Sequence, residues 1–242
     1  MLIPMKPSTP GAGGPSGEFT DFDEYTPGGN LTTPPSGFLE PLSSQITYNI
    51  DSNTDTPNPS GGNLMWMHGV NAPLALARRT ELGSTTAEVE LFGLIYTEVV
   101  PTVGSTYGLI VLADDGAETG YIVGFTRSTS TTTRIVFGYW ISDATHDVIV
   151  PLVSASATVH GTWYCVRLYT NGTNFKVRVW PETDSEPAAW DYDGTPTEGS
   201  PSGRTGHCGL GFIGENGAGS SKRLACAFLG WGVDPESAPT HE

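Results

Sequence analysis

Residues 161–190 read GTWYCVRLYTNGTNFKVRVWPETDSEPAAW, and the reading of the fold starts here. Asn171-Gly172 separates two runs rich in β-branched and aromatic residues. Asn-Gly is the dipeptide that most readily adopts the positive-φ backbone of a tight hairpin. Beyond it, Phe175, Val177 and Val179 alternate with Lys176, Arg178 and Trp180. Successive side chains on a strand point to opposite faces, so this strand has one face for a core. Its other face carries two cations and an indole. The stretch predicts an antiparallel sheet.

The pattern continues along the chain. Strands are expected at 45–50, 64–68, 74–79, 87–99, 107–113, 120–126, 134–140, 148–153, 162–169, 174–180, 206–214 and 223–233. Turn clusters lie between them at 51–62, 103–105, 114–116, 128–133 and 214–221. A strand and turn every ~8–15 residues, with no helical period, is the pattern of a sandwich. The 31 glycines and 19 prolines among 242 residues agree with an all-β chain. No internal repeat appears, which argues against a propeller or β-helix. The polar run 181–205, with Pro187, Pro196 and Pro201, reads as a long loop. Loops of that length are usually functional or disordered.

Residues 1–36 have a different composition, dense in Pro, Gly, Ser and Thr. Phe19, Phe22 and Tyr25 follow no period there. Such a segment buries too little surface to offset its own ordering entropy. The expected organisation is an extended arm over 1–36, anchored on a neighbouring subunit by those three rings, and one domain over 37–242.

A formal net charge of -15 repels phosphate backbones and anionic membranes, which argues against nucleic acid as a partner. No run approaches ~20 apolar residues, and the first residues lack the apolar core of a secretion signal. Membrane insertion is therefore not expected, and synthesis in a cytosol is. Three cysteines, Cys165, Cys208 and Cys226, are too few and too odd for a disulfide framework. Their spacing is not that of a zinc site. Cys165 and Cys226 lie in apolar runs and read as small buried hydrophobes.

Gly161-Thr162-Trp163-Tyr164, Val166-Arg167-Leu168 and Asn171-Gly172-Thr173 together resemble the concanavalin A-like (laminin G-like) jelly roll. The run from Lys176 to Pro181, with Glu186-Pro187-Ala188-Ala189-Trp190 behind it, resembles versions found in bacteriophage virion proteins. Ala87-Glu88-Val89-Glu90, Tyr107-Gly108-Leu109-Ile110-Val111 and the run from Ala225 to Gly230 fit the same plan, so the resemblance covers about residues 40–235. It implies two curved antiparallel sheets and a role in adhesion, sugar binding or particle structure. The expected function is a non-enzymatic virion structural protein, assembled in a host cytoplasm. Its arm would bind capsid or tail proteins, and its jelly roll would serve as a decoration, fibre or tail element. Particle symmetry suggests a homo-oligomer such as a trimer. The alternatives are a lectin-like adhesin for host surface glycans and a glycoside hydrolase.

For the hydrolase, Glu88 and Glu90 share a strand face, roughly 7 Å apart along it. A retaining glycosidase holds two carboxyl groups about 5–5.5 Å apart across the sugar bond. The enzymatic branch of the resembled superfamily carries a further acid close behind, where this chain has Leu91-Phe92-Gly93-Leu94. No catalytic residue is therefore assigned. His68, His146, His160, His207 and His241 show no metal-pair spacing. Asp114-Asp115-Gly116 supplies too few oxygens for calcium by itself. Residues 209–214 match Gly-x-Gly-x-x-Gly but open no helix. No metal or cofactor is expected. For a glycan, Lys176, Arg178, Trp180, Trp190 and Tyr192 offer rings to stack on sugar C–H faces and polar groups to fix hydroxyls. The same tryptophans also fit a loop packed on its sheet, or a subunit interface.

Overall fold

The computed structural model describes residues 18–25, 27–31, 38–39, 46–51, 58–59, 61–69, 74–79, 88–102, 105–114, 119–141, 145–213, 224–233, 238 and 240. They form two antiparallel sheets packed as a jelly-roll sandwich, the all-β architecture expected. The first sheet runs in the order β14 (Tyr192–Gly194), β13 (Phe175–Pro181), β12 (Tyr164–Thr170), β7 (Val89–Tyr96), β16 (Leu224–Val233), β5 (Leu64–Gly69), β4 (Ile46–Asp51), β2 (Gly28–Leu31). β1 (Glu18–Thr20) also pairs with β16. The second sheet runs β11 (Thr145–Ser156), β10 (Thr133–Ile141), β9 (Thr119–Arg127), β8 (Thr106–Asp114), β15 (His207–Ile213), β6 (Leu74–Arg79), β3 (Phe38–Leu39). Strands are numbered in chain order.

Between the sheets lies the main core, to which β12 contributes Val166 and Leu168 and β13 contributes Phe175, Val177 and Val179. Facing them from β9 and β10 are Tyr121, Val123, Phe125, Ile135 and Phe137. Alternation on β13 therefore reads as the sequence suggests. It fails on β8, whose residues are buried almost without break. The outer face of the second sheet carries its own buried cluster of Ile110, Ala113, Ile122 and Trp140. A strand covered on both faces loses its polar positions, which explains the continuous apolar run at 109–113. Cys208 and Cys226 sit fully inside the main core. Burial pushes the Cys208 thiol up to about 12 and the Cys226 thiol higher still, so both stay protonated and inert.

The 161–190 hairpin forms with a different turn from the one expected. β12 and β13 pair from Tyr164↔Pro181 to Thr170↔Phe175, leaving a four-residue loop at 171–174. Gly172 takes φ 80°, while Asn171 acts through its side chain. Its Oδ1 accepts from the Thr173 and Asn174 amides at 3.1 and 2.8 Å. The loop combines this Asx turn with a single closing main-chain bond, from the Asn171 amide to the Asn174 carbonyl at 3.2 Å.

β11 is an outer edge of the second sheet. Its pairing with β10 shifts register at three points, and Pro151 stands within the strand opposite Val136. Bulges and an edge proline discourage pairing with another chain.

The arm boundary at residue 36 is corrected for the described part of the segment. Glu18, Phe19 and Thr20 pair with Trp231, Gly230 and Leu229. Gly28 and Leu31 pair with Ile50 and Tyr48. Phe22 has no exposed surface and belongs to the main core, with Tyr25 packed against it. Asp23 Oδ1 accepts from the Asn63 amide at 2.6 Å, and Asn63 Nδ2 donates to the Phe22 and Tyr25 carbonyls. Phe19 remains 49% exposed, stacked on Phe228 at 5.1 Å. The physical reason is long-range pairing: three residues without a period still complete a sheet whose edge already exists. Residues 1–17 and 32–37 lie outside the described residues.

Candidate functional site

The face of the first sheet that turns away from the main core carries the residues singled out for binding. Its floor is a second apolar cluster: Leu64, Trp66, Phe92, Leu94, Cys165 and Trp180, continued by Ala225, Ala227 and Phe228. Above the floor runs a charged row. β7 supplies Glu90, β12 supplies Arg167, and β13 supplies Lys176 and Arg178. The chain beyond β13 turns at Asp184, whose amide donates to the Pro181 carbonyl at 2.9 Å. It then lays Glu186 over the row.

Glu186 is the centre of the arrangement. Its Oε1 accepts from Arg167 Nε at 2.8 Å and Arg178 Nη1 at 2.6 Å, and its Oε2 accepts from Arg167 Nη2 at 3.0 Å. Arg167 Nη1 turns the other way, to Glu90 Oε1 at 2.5 Å. The Arg167 guanidinium also lies 5.4 Å from the Phe92 ring centroid. Side-chain exposures of 11% for Arg167 and 14% for Glu90 make this a largely buried network. Burial alone would raise the Glu186 carboxyl, but the hydrogen bonds and charges of Arg167 and Arg178 outweigh it and hold it below its usual range. Burial likewise disfavours charge on Arg167, and Glu186 and Glu90 outweigh that too.

Three of the five nominated glycan residues come together and two do not. Arg178 lies 3.8 Å over the Trp190 ring, and Lys176 approaches the same ring at 6.0 Å. Lys176 also pairs with Asp193 at 3.6 Å, and Asn174 Nδ2 donates to Asp193 Oδ1 at 3.1 Å. Trp190 is half-buried. Trp180 is only 5% exposed and packs on Phe92 with ring centroids 6.0 Å apart. Tyr192 lies opposite Val177 in β14, so its ring faces the main core and meets Phe137 at 5.0 Å. Trp180 belongs to the floor cluster, and Tyr192 packs against the main core.

The paired glutamates are both engaged. Glu88 Oε1 accepts from the Tyr169 hydroxyl at 2.9 Å. Glu90 Oε1 accepts from Arg167 and from the Ala238 amide at 3.1 Å. Of the calcium candidates, Asp114 is described and exposed, while Asp115 lies outside the described residues. Among the described residues no group of three His, Cys, Asp or Glu is placed to hold a metal ion.

The 181–205 run is tied down along its length. Asp191 Oδ2 accepts from the Val179 amide at 2.8 Å, and β14 extends the sheet. Farther on, the Tyr121 hydroxyl donates to the Glu198 carbonyl at 2.7 Å, and burial pushes that phenol well above its usual range. Arg204 donates to the Leu112 and Gly199 carbonyls and to the Tyr139 hydroxyl. Gly199 takes φ 73°, and a Cβ there would stand 2.3 Å from the Tyr139 ring. Gly199→Ala should therefore cost more than ~1 kcal/mol, read from urea unfolding.

Sequence reasoning missed Arg167, Glu90 and Glu186 as a network. One signal was present: a lone arginine centred in an apolar strand needs a carboxylate when it is buried. Which carboxylate it finds depends on the path of the chain after β13.

No family model matches this sequence, and no curated protein does. Solved structures do match in shape. Against the xylan β-1,4-xylosidase from Bacillus halodurans C-125 the TM-score is 0.52 at 13% identity, over 95% of this chain and 41% of that one. Against a protein of unknown function from Shewanella oneidensis MR-1 it is 0.51 at 12% identity, over 87% of this chain and 94% of that one. What the likeness shows is the fold, an all-β sandwich of two antiparallel sheets. The chain spans well under half of the xylosidase it overlays.

Proposed function

We propose that this chain is a non-enzymatic binding domain for a carbohydrate, engaged at the rim of Asn174, Lys176, Trp190 and Asp193. The observation that carries this reading is the setting of Trp190. A guanidinium stacked at 3.8 Å holds its indole in one orientation. An amide, an ammonium and a carboxylate stand alongside it. A fixed aromatic surface beside such groups suits a sugar ring, whose C–H face stacks while its hydroxyls exchange hydrogen bonds. The overlay on part of a xylosidase supports the same ligand class. The engagement of Glu88 and Glu90 by Tyr169 and Arg167 supports binding without hydrolysis.

A glycan array probed with the whole chain tests this reading. A hit should weaken about tenfold in Trp190→Ala, equivalent to about 1.4 kcal/mol. Trp180→Ala should lower stability and leave the pattern of bound glycans unchanged. Absence of any binding at high micromolar concentration would count against the proposal.

We further propose a virion setting, on the resemblance of the 161–190 hairpin. Because residues 18–20 and 28–31 pair into the sheet, the segment proposed to anchor on capsid or tail proteins is 1–17. Its removal should leave the fold intact and abolish incorporation into particles. Normal incorporation would remove this reading and leave the carbohydrate proposal standing.

A further inference from the structure

We propose that Asn171-Gly172 is a latent site of spontaneous deamidation, and that Thr170 and the Asx turn hold it shut in the folded chain. The chemistry is internal to the dipeptide. The Gly172 nitrogen attacks Asn171 Cγ, so a Cγ–N bond forms. The Cγ–Nδ2 bond breaks, and ammonia leaves with the proton of the Gly172 amide. Water then opens the resulting succinimide at either carbonyl, giving aspartate or isoaspartate at 171. Glycine hinders this attack least, because it has no side chain beside the nucleophile. Asn171 is exposed, so water reaches it.

Both reacting groups are engaged elsewhere in the hairpin. The Gly172 amide donates to Thr170 Oγ1 at 3.0 Å in a buried bond, which holds the proton that must leave. Asn171 Oδ1 accepts from the Thr173 and Asn174 amides, which fixes the side-chain amide. The Asn171 amide closes the loop on the Asn174 carbonyl. Attack needs the reacting atoms about 3–3.5 Å apart with their orbitals aligned, and reaching that geometry means giving up these bonds. Opening of the 171–174 loop therefore sets the rate. The position gives the reaction a consequence. The Asn171 side chain holds the Asn174 main chain, and Asn174 Nδ2 donates to Asp193 Oδ1 at 3.1 Å. An aspartate at 171 keeps Oδ1 and the turn. An isoaspartate routes the main chain through the former side chain and adds a carbon to it, so Asn174 and Asp193 lose their support. The effect on a bound sugar rests on the carbohydrate proposal; the reaction itself does not.

The test incubates the whole chain at mildly alkaline pH beside a free peptide of its residues 168–176, LYTNGTNFK. Tryptic digestion and mass spectrometry follow conversion of Asn171 in both. The folded chain should react at least about tenfold more slowly than the peptide. Equal rates would overturn the proposal, and this comparison needs no variant. Thr170→Val keeps the shape, removes the acceptor and should speed the reaction about tenfold. Thr170→Ser keeps the hydroxyl and should stay slow. A folded Thr170→Val chain that reacts no faster than the unmutated one would also overturn the proposal. In chains converted to isoaspartate, the Asn174 amide should exchange its hydrogen at least about tenfold faster than before. Unchanged protection there would overturn the link to the rim, and it is read without any sugar.

Discussion

Phe22→Ala should lower the unfolding free energy by about 3–5 kcal/mol, the usual cost of deleting a buried phenylalanine. Phe22 is fully buried in the main core and comes from the segment whose composition looks least like a folded one. Its φ of 63° is costly for a bulky side chain, so the surrounding contacts must hold it there. Those contacts are named: its amide donates to Thr20 Oγ1 at 3.0 Å, its carbonyl accepts from the Tyr25 amide at 3.2 Å, and Asn63 and Asp23 close the turn from either side. Removing residues 1–36 should do more damage than the point change, because β1 and β2 go with it. Urea denaturation of both variants is the measurement. A truncated chain as stable as the full one would restore the independent arm and refute the packing described for Phe22.

Glu186→Gln should cost about 3 kcal/mol, toward the lower end for breaking a buried ion pair because Glu186 retains 27% exposure. The change removes the carboxylate that Arg167 and Arg178 share, leaving Arg167 with Glu90 alone. The effect should depend on pH with a definite sign. The folded-state pKa of Glu186 is depressed. Its contribution is therefore complete above the ordinary carboxylate pKa, about 4, and is lost as pH falls through the lower folded value. The two chains should converge in stability at acid pH and differ most near neutrality. An equal difference at all pH values would mean that the carboxylate's charge is not what the network uses. Arg178 links Glu186 to the Trp190 ring, so the same variant should loosen that rim.

Much of the sandwich is legible from local pattern. The strands on either side of 171–174 fall within a residue or two of their expected limits, because alternation there is set by one buried face. Where both faces are buried, as in β8, the apolar run still marks a strand but no longer says which side is which. β1, β2, β3 and β14 escaped notice because each is at most four residues long, too short for an alternation to show. The proposed glycan residues were legible as residue types but not as a surface. Period two put Lys176, Arg178 and Trp180 on one face, and they do share it. The period is silent on what covers that face.

The amino-acid order by itself settled the class of structure: all-β, antiparallel, turn-rich, with the alternation of β13 orienting one side to the core and an acidic surface around it. Those properties depend on neighbours within a few residues. Only the tertiary structure decided that Phe22 is core, that Trp180 is floor rather than binding surface, and that Arg167 finds Glu186 and Glu90. Each of these depends on contacts between segments 19 to 77 residues apart in the chain or more, as the Glu186 and Glu90 bonds to Arg167 illustrate. The energy of a buried charge or ring is set by whatever arrives across that gap, and no local pattern records the arrival.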